Sequence, residues 1–171
     1  MLDIENLFVK KVYSEIALHF SDTRYCVWDM VSEFLNDKNS NQKGIEIGSG
    51  NGKNLNFNKK LDIIGTDNCK ELIKICKDKH LNVIFSDCCE LPFQDKEFDY
   101  ALSIAVFHHL STEERRIKAI NEMIRILKTN GQGIISVWSY ENQDNEKIKR
   151  NFKEGDNFIK WNRRLDNKQF K

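Results

Sequence analysis

Five short apolar runs, Gly44–Ile47, Ile63–Thr66, Val83–Ser86, Tyr100–Ile104 and Gly133–Trp138, alternate with stretches of helical periodicity. No other feature constrains the fold as much. Each run is shorter than an ordinary helix and rich in Ile, Val or aromatic residues, the pattern of a strand buried on both faces. Strands that alternate with helices pair in parallel through crossover connections, and ligands then gather beyond the carboxyl ends of the strands. The chain is therefore expected to form an α/β, Rossmann-like fold with a mostly parallel, doubly wound sheet.

The helical stretches are read from their apolar spacing. Ile4, Leu7, Phe8, Val12, Ile16 and Phe20 mark a first helix, after which Ser21-Asp22 is expected to cap a second helix carrying Tyr25, Trp28, Val31 and Leu35. Within Asn68–His80, Leu72, Ile73 and Cys76 share a face. Ser111-Thr112-Glu113-Glu114 reads as a capping box before an apolar stripe of Ile117, Ile120, Ile124 and Leu127. The 171 residues suit one domain, with N-terminal helices over 1–36, a ligand-binding core over 43–140 and a C-terminal segment over 141–171.

Composition excludes several classes. Charged residues make up 31% of the chain and no apolar run reaches the length of a membrane span, which together with the acidic start Met1-Leu2-Asp3-Ile4-Glu5 predicts a cytoplasmic protein. Five cysteines without a Cys-x-x-Cys pair predict reduced thiols and no metal site. The net charge is only +1, yet Glu146–Lys171 holds nine Lys or Arg against four Asp or Glu, or +5, as a solvated tail or a phosphate-facing one.

Three features carry chemistry. Glu46-Ile47-Gly48-Ser49-Gly50-Asn51-Gly52 directly follows the first strand, and its glycines permit positive φ and close approach of a ligand. Asp67 ends the second strand, where a carboxylate can accept both ribose hydroxyls. Asp87 ends the third, where it can accept an adenine amino group. Together they favour S-adenosylmethionine over a nicotinamide dinucleotide, which would not call for the third acid.

With these features in place, the sequence resembles the class I methyltransferases. Val12 to Tyr25 (VYSEIALHFSDTRY), Ser103 to Leu110 (SIAVFHHL) and Ser136-Val137-Trp138 further resemble the eukaryotic wobble-uridine tRNA carboxymethyluridine methyltransferases. Those are similar in turn to the methyltransferase domain of the AlkB-homologue tRNA hydroxylase. The resemblance implies methyl transfer from S-adenosylmethionine to the carboxylate of 5-carboxymethyluridine at tRNA position 34, giving the methyl ester. It also implies a small zinc-binding activator subunit as partner in a heterodimer, expected along the edge strand at Val83, Ile84 and Phe85. The cofactor is expected to meet Glu46, Gly48, Gly50, Gly52, Asp67, Asn68, Asp87, Cys88 and Ala105. Arg24, His108, His109 and His19 are the candidate catalytic residues, with Arg24 a clamp for the carboxylate of either substrate or cofactor.

The sequence also departs from that family. Trp28 stands between Val27 and Asp29 rather than prolines, and Thr129-Asn130-Gly131 replaces a Pro-Gly-Gly turn. The stretch after Trp138 scarcely has room for the family's final antiparallel strand pair. Two other functions retain every cofactor residue: methylation of a small carboxylic acid, and a cofactor-binding regulatory module without turnover.

Overall fold

The computed structural model describes residues 2–138, together with 155, 157–159 and 161. The chain divides into two compact units, Met1–Val137 and Trp138–Lys171. The basic positions Lys147, Lys149, Arg150, Arg163 and Arg164 lie outside the described residues.

The first unit opens with α1 (Leu2–Glu5), a π-helical turn (Asn6–Lys10) and α2 (Lys11–Thr23) in immediate succession. There follow α3 (Asp29–Asn36), β1 (Lys43–Ile47), β2 (Asp62–Asp67), α4 (Lys70–Asp78), β3 (Val83–Phe85) and β4 (Phe98–Ile104). A 3-10 turn (Phe107–His109), α5 (Glu113–Ile126) and β5 (Leu127–Ser136) complete it. The sheet runs β3-β2-β1-β4-β5 and every pairing is parallel. The chain moves outward from β1 to β3, then returns across β1 to lay down β4 and β5. The crevice between the carboxyl ends of β1 and β4 is therefore the topological switch point, where such sheets bind ligands.

Both sheet faces are covered, which explains the continuous apolar runs. Ile45, Ile47 and Ala101 pack with Ala119, Met123 and Ile126 of α5 on one side. Tyr100 and Leu102 pack with Val31 and Leu35 of α3 and Ile73 and Cys76 of α4 on the other. Burial of each such side chain contributes about 1.5–3 kcal/mol. Gly44 is fixed by this packing, since a Cβ there would stand 2.3 Å from the Tyr100 ring.

Several boundaries differ from expectation. Ser21-Asp22 starts no helix; α2 runs through it to Thr23, and α3 begins only after Trp28, whose extended backbone takes the N-cap position. Tyr25 accordingly lies between helices and is exposed. The cap of α5 is Thr112, whose hydroxyl accepts from the Arg115 backbone N–H at 3.2 Å, rather than a Ser111 box. The stripe is also rotated. Ile117, Ile120 and Ile124 are 51%, 37% and 63% exposed, while Ala119, Met123 and Ile126 face the core. Isoleucine count pointed to the wrong face because the core side is lined by Ala119, Met123 and a single isoleucine, Ile126. β5 starts at Leu127, but its pairing jumps from Leu127 opposite Phe98 to Gln132 opposite Tyr100. The Lys128–Gly131 excursion contains Asn130 at φ 66, the left-handed turn for which asparagine was a fit replacement of glycine.

Candidate active site at the switch point

The loop after β1 turns on Gly48, Gly50 and Gly52, at φ 76, 56 and 74. At Gly48 the need for glycine is doubled, because a Cβ would stand 2.3 Å from Val106 Cγ2 in the segment after β4. The two loops that bound the switch point thus touch. A Cβ on Gly50 would lie 3.3 Å from the Phe20 ring of α2. The glycines make room first for neighbouring protein, a constraint additional to ligand approach.

Asp67 closes the floor. Its Oδ2 accepts from Gly50 N at 2.8 Å and its Oδ1 from Cys69 N at 2.9 Å. Burial pushes its carboxyl up, opposed by the backbone N–H groups of Cys69, Gly50 and Asn68. A carboxylate has four lone-pair sites, so these backbone bonds leave Asp67 capacity for a further donor. Asp87, at the end of β3, is held by Cys89 N at 2.9 Å and by Arg115, whose Nη2 donates to both its oxygens at 3.1 and 3.0 Å. Its pKa lies below the ordinary value: burial opposes the shift, while the Cys89 N–H and the Arg115 guanidinium produce it.

Asp87, Cys88 and Cys89 place their ligand atoms within 4.8 Å of one another. Burial pushes both thiols up and Arg115 already occupies the carboxylate, so the trio presents protonated sulfurs and a paired acid rather than a ready metal cradle.

Glu46 has a different character. It is buried, accepts from Asn54 Nδ2 at 2.6 Å, and burial pushes its carboxyl up to about 8. Glu46 Oε2 and Asn54 Oδ1 are both without a hydrogen-bond partner. A proton on Oε2 directed at Asn54 Oδ1 would satisfy both at once, forming a neutral acid–amide pair beneath the glycine loop.

The roof comes from α2. Tyr13, Ala17 and Phe20 pack with Cys69 and Leu72, and the Arg24 guanidinium lies 5.6 Å from the Phe20 ring centre. Asn51 of the glycine loop fixes the end of this helix, donating to Ser21 O at 3.2 Å and to Arg24 O at 2.8 Å. Lys79 ties the same point from α4, donating to Asn51 O at 3.0 Å. Arg24 is half-buried, and its Nη1 donates to Thr23 Oγ1 at 3.0 Å.

The far wall follows β4. Ala105 has φ 59, a conformation uncommon for alanine that concentrates at functional sites, and its N–H donates to Ser136 O at 2.8 Å. His108 and His109 follow with ring centres 4.3 Å apart. Tyr13 Oη and His109 Nε2 are joined by a hydrogen bond of 3.0 Å. Burial lowers the pKa of His108 to about 3 and that of His109 to about 4, so both rings are neutral near neutral pH.

The candidates thus converge unequally. Gly48 reaches Val106 next to Ala105, Gly50 bonds Asp67, Asn51 between Gly50 and Gly52 holds the Arg24 carbonyl, and His109 joins Tyr13 of α2. His19 sits about 120° around α2 from the Tyr13–Ala17–Phe20 stripe. Tyr13, Phe20, Asn51 and Arg115 were not foreseen. Tyr13 and Phe20 lie within the quoted VYSEIALHFSDTRY block, but their helical spacing reads as ordinary core.

Residues 45–135 match the model of the family described as methyltransferase domain. A chain from the complex between the Haloferax volcanii Trm112 methyltransferase activator and its methyltransferase superposes with a TM-score of 0.61 at 19% identity, covering 75% of this chain and 60% of that one. Fold and family model together define a methyltransferase domain. Within that class, the Arabidopsis thaliana tRNA (carboxymethyluridine(34)-5-O)-methyltransferase is 45% identical over 142 residues, 83% of this chain. The protein of the same name from Schizosaccharomyces pombe is 40% identical over 163 residues, 94% of this chain. The present chain spans 35% of the Arabidopsis protein and 70% of the fission yeast one. It belongs to the tRNA (carboxymethyluridine(34)-5-O)-methyltransferase family.

Proposed function

We propose that this chain transfers a methyl group from S-adenosylmethionine to the carboxylate of 5-carboxymethyluridine at the tRNA wobble position. The observation that carries the reading is the junction at the switch point, where Asp67 bonds Gly50, Gly48 meets Val106, and α2 brings Phe20 against the glycine loop and Tyr13 onto His109. The names of the 45% and 40% identical relatives supply the substrate.

S-adenosylmethionine supplies an electrophilic sulfonium methyl. Asp67 would hold the ribose hydroxyls, Asp87 the adenine amino group, and the Gly48–Gly52 turn the adjoining backbone. The acceptor is a carboxylate, ionised near neutral pH, so one of its oxygens forms the new C–O bond as the methyl–sulfur bond breaks, and no proton need be removed. Neutral His108 and His109 suit that requirement, acting through shape and hydrogen bonding rather than as bases. Alignment is the main contribution, and Arg24 offers the planar fork to hold a carboxylate.

The basic positions Lys147, Lys149, Arg150, Arg163 and Arg164 are proposed to contact tRNA phosphates, and binding should then weaken as salt rises. An activator subunit is proposed to add a strand at β3. That reading is supported by the edge position of β3 and by the fold-level likeness to the Haloferax methyltransferase complex. No helix among the described residues is long and apolar enough to cross a membrane.

The test incubates the chain, with and without an activator subunit, with labelled S-adenosylmethionine and tRNA carrying 5-carboxymethyluridine. Base-labile label in that nucleotide is expected, since a methyl ester hydrolyses in alkali. Label absent under both conditions, on protein that binds S-adenosylhomocysteine, would overturn the activity while leaving the cofactor site intact.

A further inference from the structure

Arg115 breaks a local rule. It lies in the first turn of α5, where the positive end of the helix dipole disfavours a cation and Glu113 and Glu114 are the residues that belong. Two carboxylates from distant parts of the chain hold it there. Its Nε donates to Glu5 Oε1 at 2.9 Å, and its Nη2 to both oxygens of Asp87. Glu5 is itself tied down, because the same Oε1 accepts from Ser111 N at 2.8 Å and Ser111 Oγ at 2.9 Å. The side chain of Glu5 is 4% exposed, that of Arg115 21% and that of Asp87 31%, so the chain of bonds opens outward at Asp87.

On Asp87, Oδ1 accepts from both Cys89 N and Arg115 and Oδ2 from Arg115, with the Cys89 thiol also within reach of the carboxylate. Oδ2 therefore retains a lone pair for one more donor. Because Arg115 keeps the carboxylate ionised, that oxygen can accept a bond but cannot donate one. It selects an amino N–H and repels a carbonyl oxygen.

We infer that Arg115 is a positioning residue for purine recognition. It orients Asp87 toward an exocyclic amino group, and Glu5 orients Arg115, so that docking of the N-terminal helix and discrimination of adenine form one linked event. The inference rests on the cofactor reading above, in which Asp87 meets adenine. The link between Glu5, Arg115 and Asp87 can be tested apart from the ligand, because its bonds join protein atoms alone.

The experiment has two arms on the full chain. In the first, calorimetry compares S-adenosylhomocysteine with S-inosylhomocysteine, which carries a carbonyl at the position of the amino group. Wild type should prefer the adenosyl ligand by about tenfold or more, the value of a hydrogen bond to a charged group. Arg115→Gln should lose most of that preference, Glu5→Gln part of it, and Arg115→Lys should recover some; the double Glu5→Gln/Arg115→Gln variant should be no worse than Arg115→Gln. Equal loss of affinity for both ligands would reduce Arg115 to a structural residue and overturn the inference.

In the second arm, without ligand, Asp87→Asn should speed amide hydrogen exchange in residues 2–10, although Asp87 donates and accepts no bond to that helix directly. Wild-type exchange there would break the link whatever the ligands do. Failure of the wild-type chain to bind either ligand would instead overturn the cofactor reading and, with it, the adenine half of the inference; the exchange arm would still decide the other half.

Discussion

Tyr13 and His109 stand 96 positions apart in the chain, and their side chains meet in a hydrogen bond of 3.0 Å with the rings edge to face. The bond fixes which way the imidazole faces across the switch point, and burial together with Asp67 pushes the phenol up to about 12, so Tyr13 stays protonated. Tyr13→Phe keeps the ring contacts with Phe20 and His109 but frees the imidazole. It should cost about 1 kcal/mol of stability and lower the single-turnover rate while leaving S-adenosylhomocysteine affinity unchanged. Calorimetry and rapid-quench kinetics on one preparation would measure both, and a wild-type rate would leave the pair purely structural.

Stability should pass through a maximum near the pKa of an ordinary histidine. Glu46, raised from 4.5 to about 8, holds a proton in the native state that the unfolded chain releases, so its contribution falls as pH rises across that window. His108 and His109, lowered from 6.5 to about 3 and about 4, bind fewer protons folded than unfolded, so their contribution is lost as pH falls below 6.5. Among these three groups, the two histidines outweigh the one glutamate from pH 4.5 to 6.5, and from 6.5 to 8 the glutamate alone titrates. Glu46→Gln should flatten the alkaline limb in urea titrations at several pH values, because an amide can pair with Asn54 without titrating. An unchanged limb would mean that Glu46 is ionised in the fold.

Gly50→Val and Asp67→Ala should both weaken cofactor binding, by different routes. Valine at φ 56 imposes a strained, left-handed conformation of about 1–2 kcal/mol and presses on Phe20. Asp67→Ala removes the acceptor for the ribose and frees Gly50 N, and should reduce affinity by about 1.5–3 kcal/mol. Wild-type affinity of both folded variants in calorimetry would remove the cofactor from this loop.

Arg24→Ala should lower turnover far more than it lowers the melting temperature, since a half-buried guanidinium costs alignment when lost but little packing. Arg24→Lys should restore only part of the rate, a point charge being a poorer fork. Comparable turnover in all three proteins would return Arg24 to the surface.

Ile84→Lys should abolish co-purification with an activator subunit while leaving S-adenosylhomocysteine affinity intact. Among the described residues β3 pairs only with β2, and Phe85 on it is 54% exposed. The edge is not wholly unguarded, because the Lys70 ammonium of α4 lies 5.8 Å from the Phe85 ring centre. Retained co-purification would place the subunit elsewhere.

The sheet was legible because apolar runs such as Ile63–Thr66 can be buried on both faces only between helices. The glycine turn, Asp67 and Asp87 were legible because each closes a strand, and strand ends converge in a parallel sheet. What a linear reading could not supply was partner choice. Nothing near Arg115 names Glu5 or Asp87, and nothing near Gly48 names Val106. The α5 stripe failed for a related reason: hydrophobicity cannot tell an isoleucine facing outward, such as Ile124, from a buried alanine such as Ala119.

The placement of Glu5 also bears on how the chain is made. Its partners Ser111 and Arg115 follow 106 and 110 residues later, an interval of roughly 5–22 s at common synthesis rates. Throughout that time Glu5 lacks the donors that hold it, whereas its neighbours Ile4, Leu7 and Phe8 are exposed even in the finished fold. α2, which roofs the site, meets its own partners Asn51, Cys69 and Leu72 much earlier in the chain. The Glu5 bonds therefore close only once Arg115 has been made, so this corner of the fold is completed later than the packing of α2 over the site.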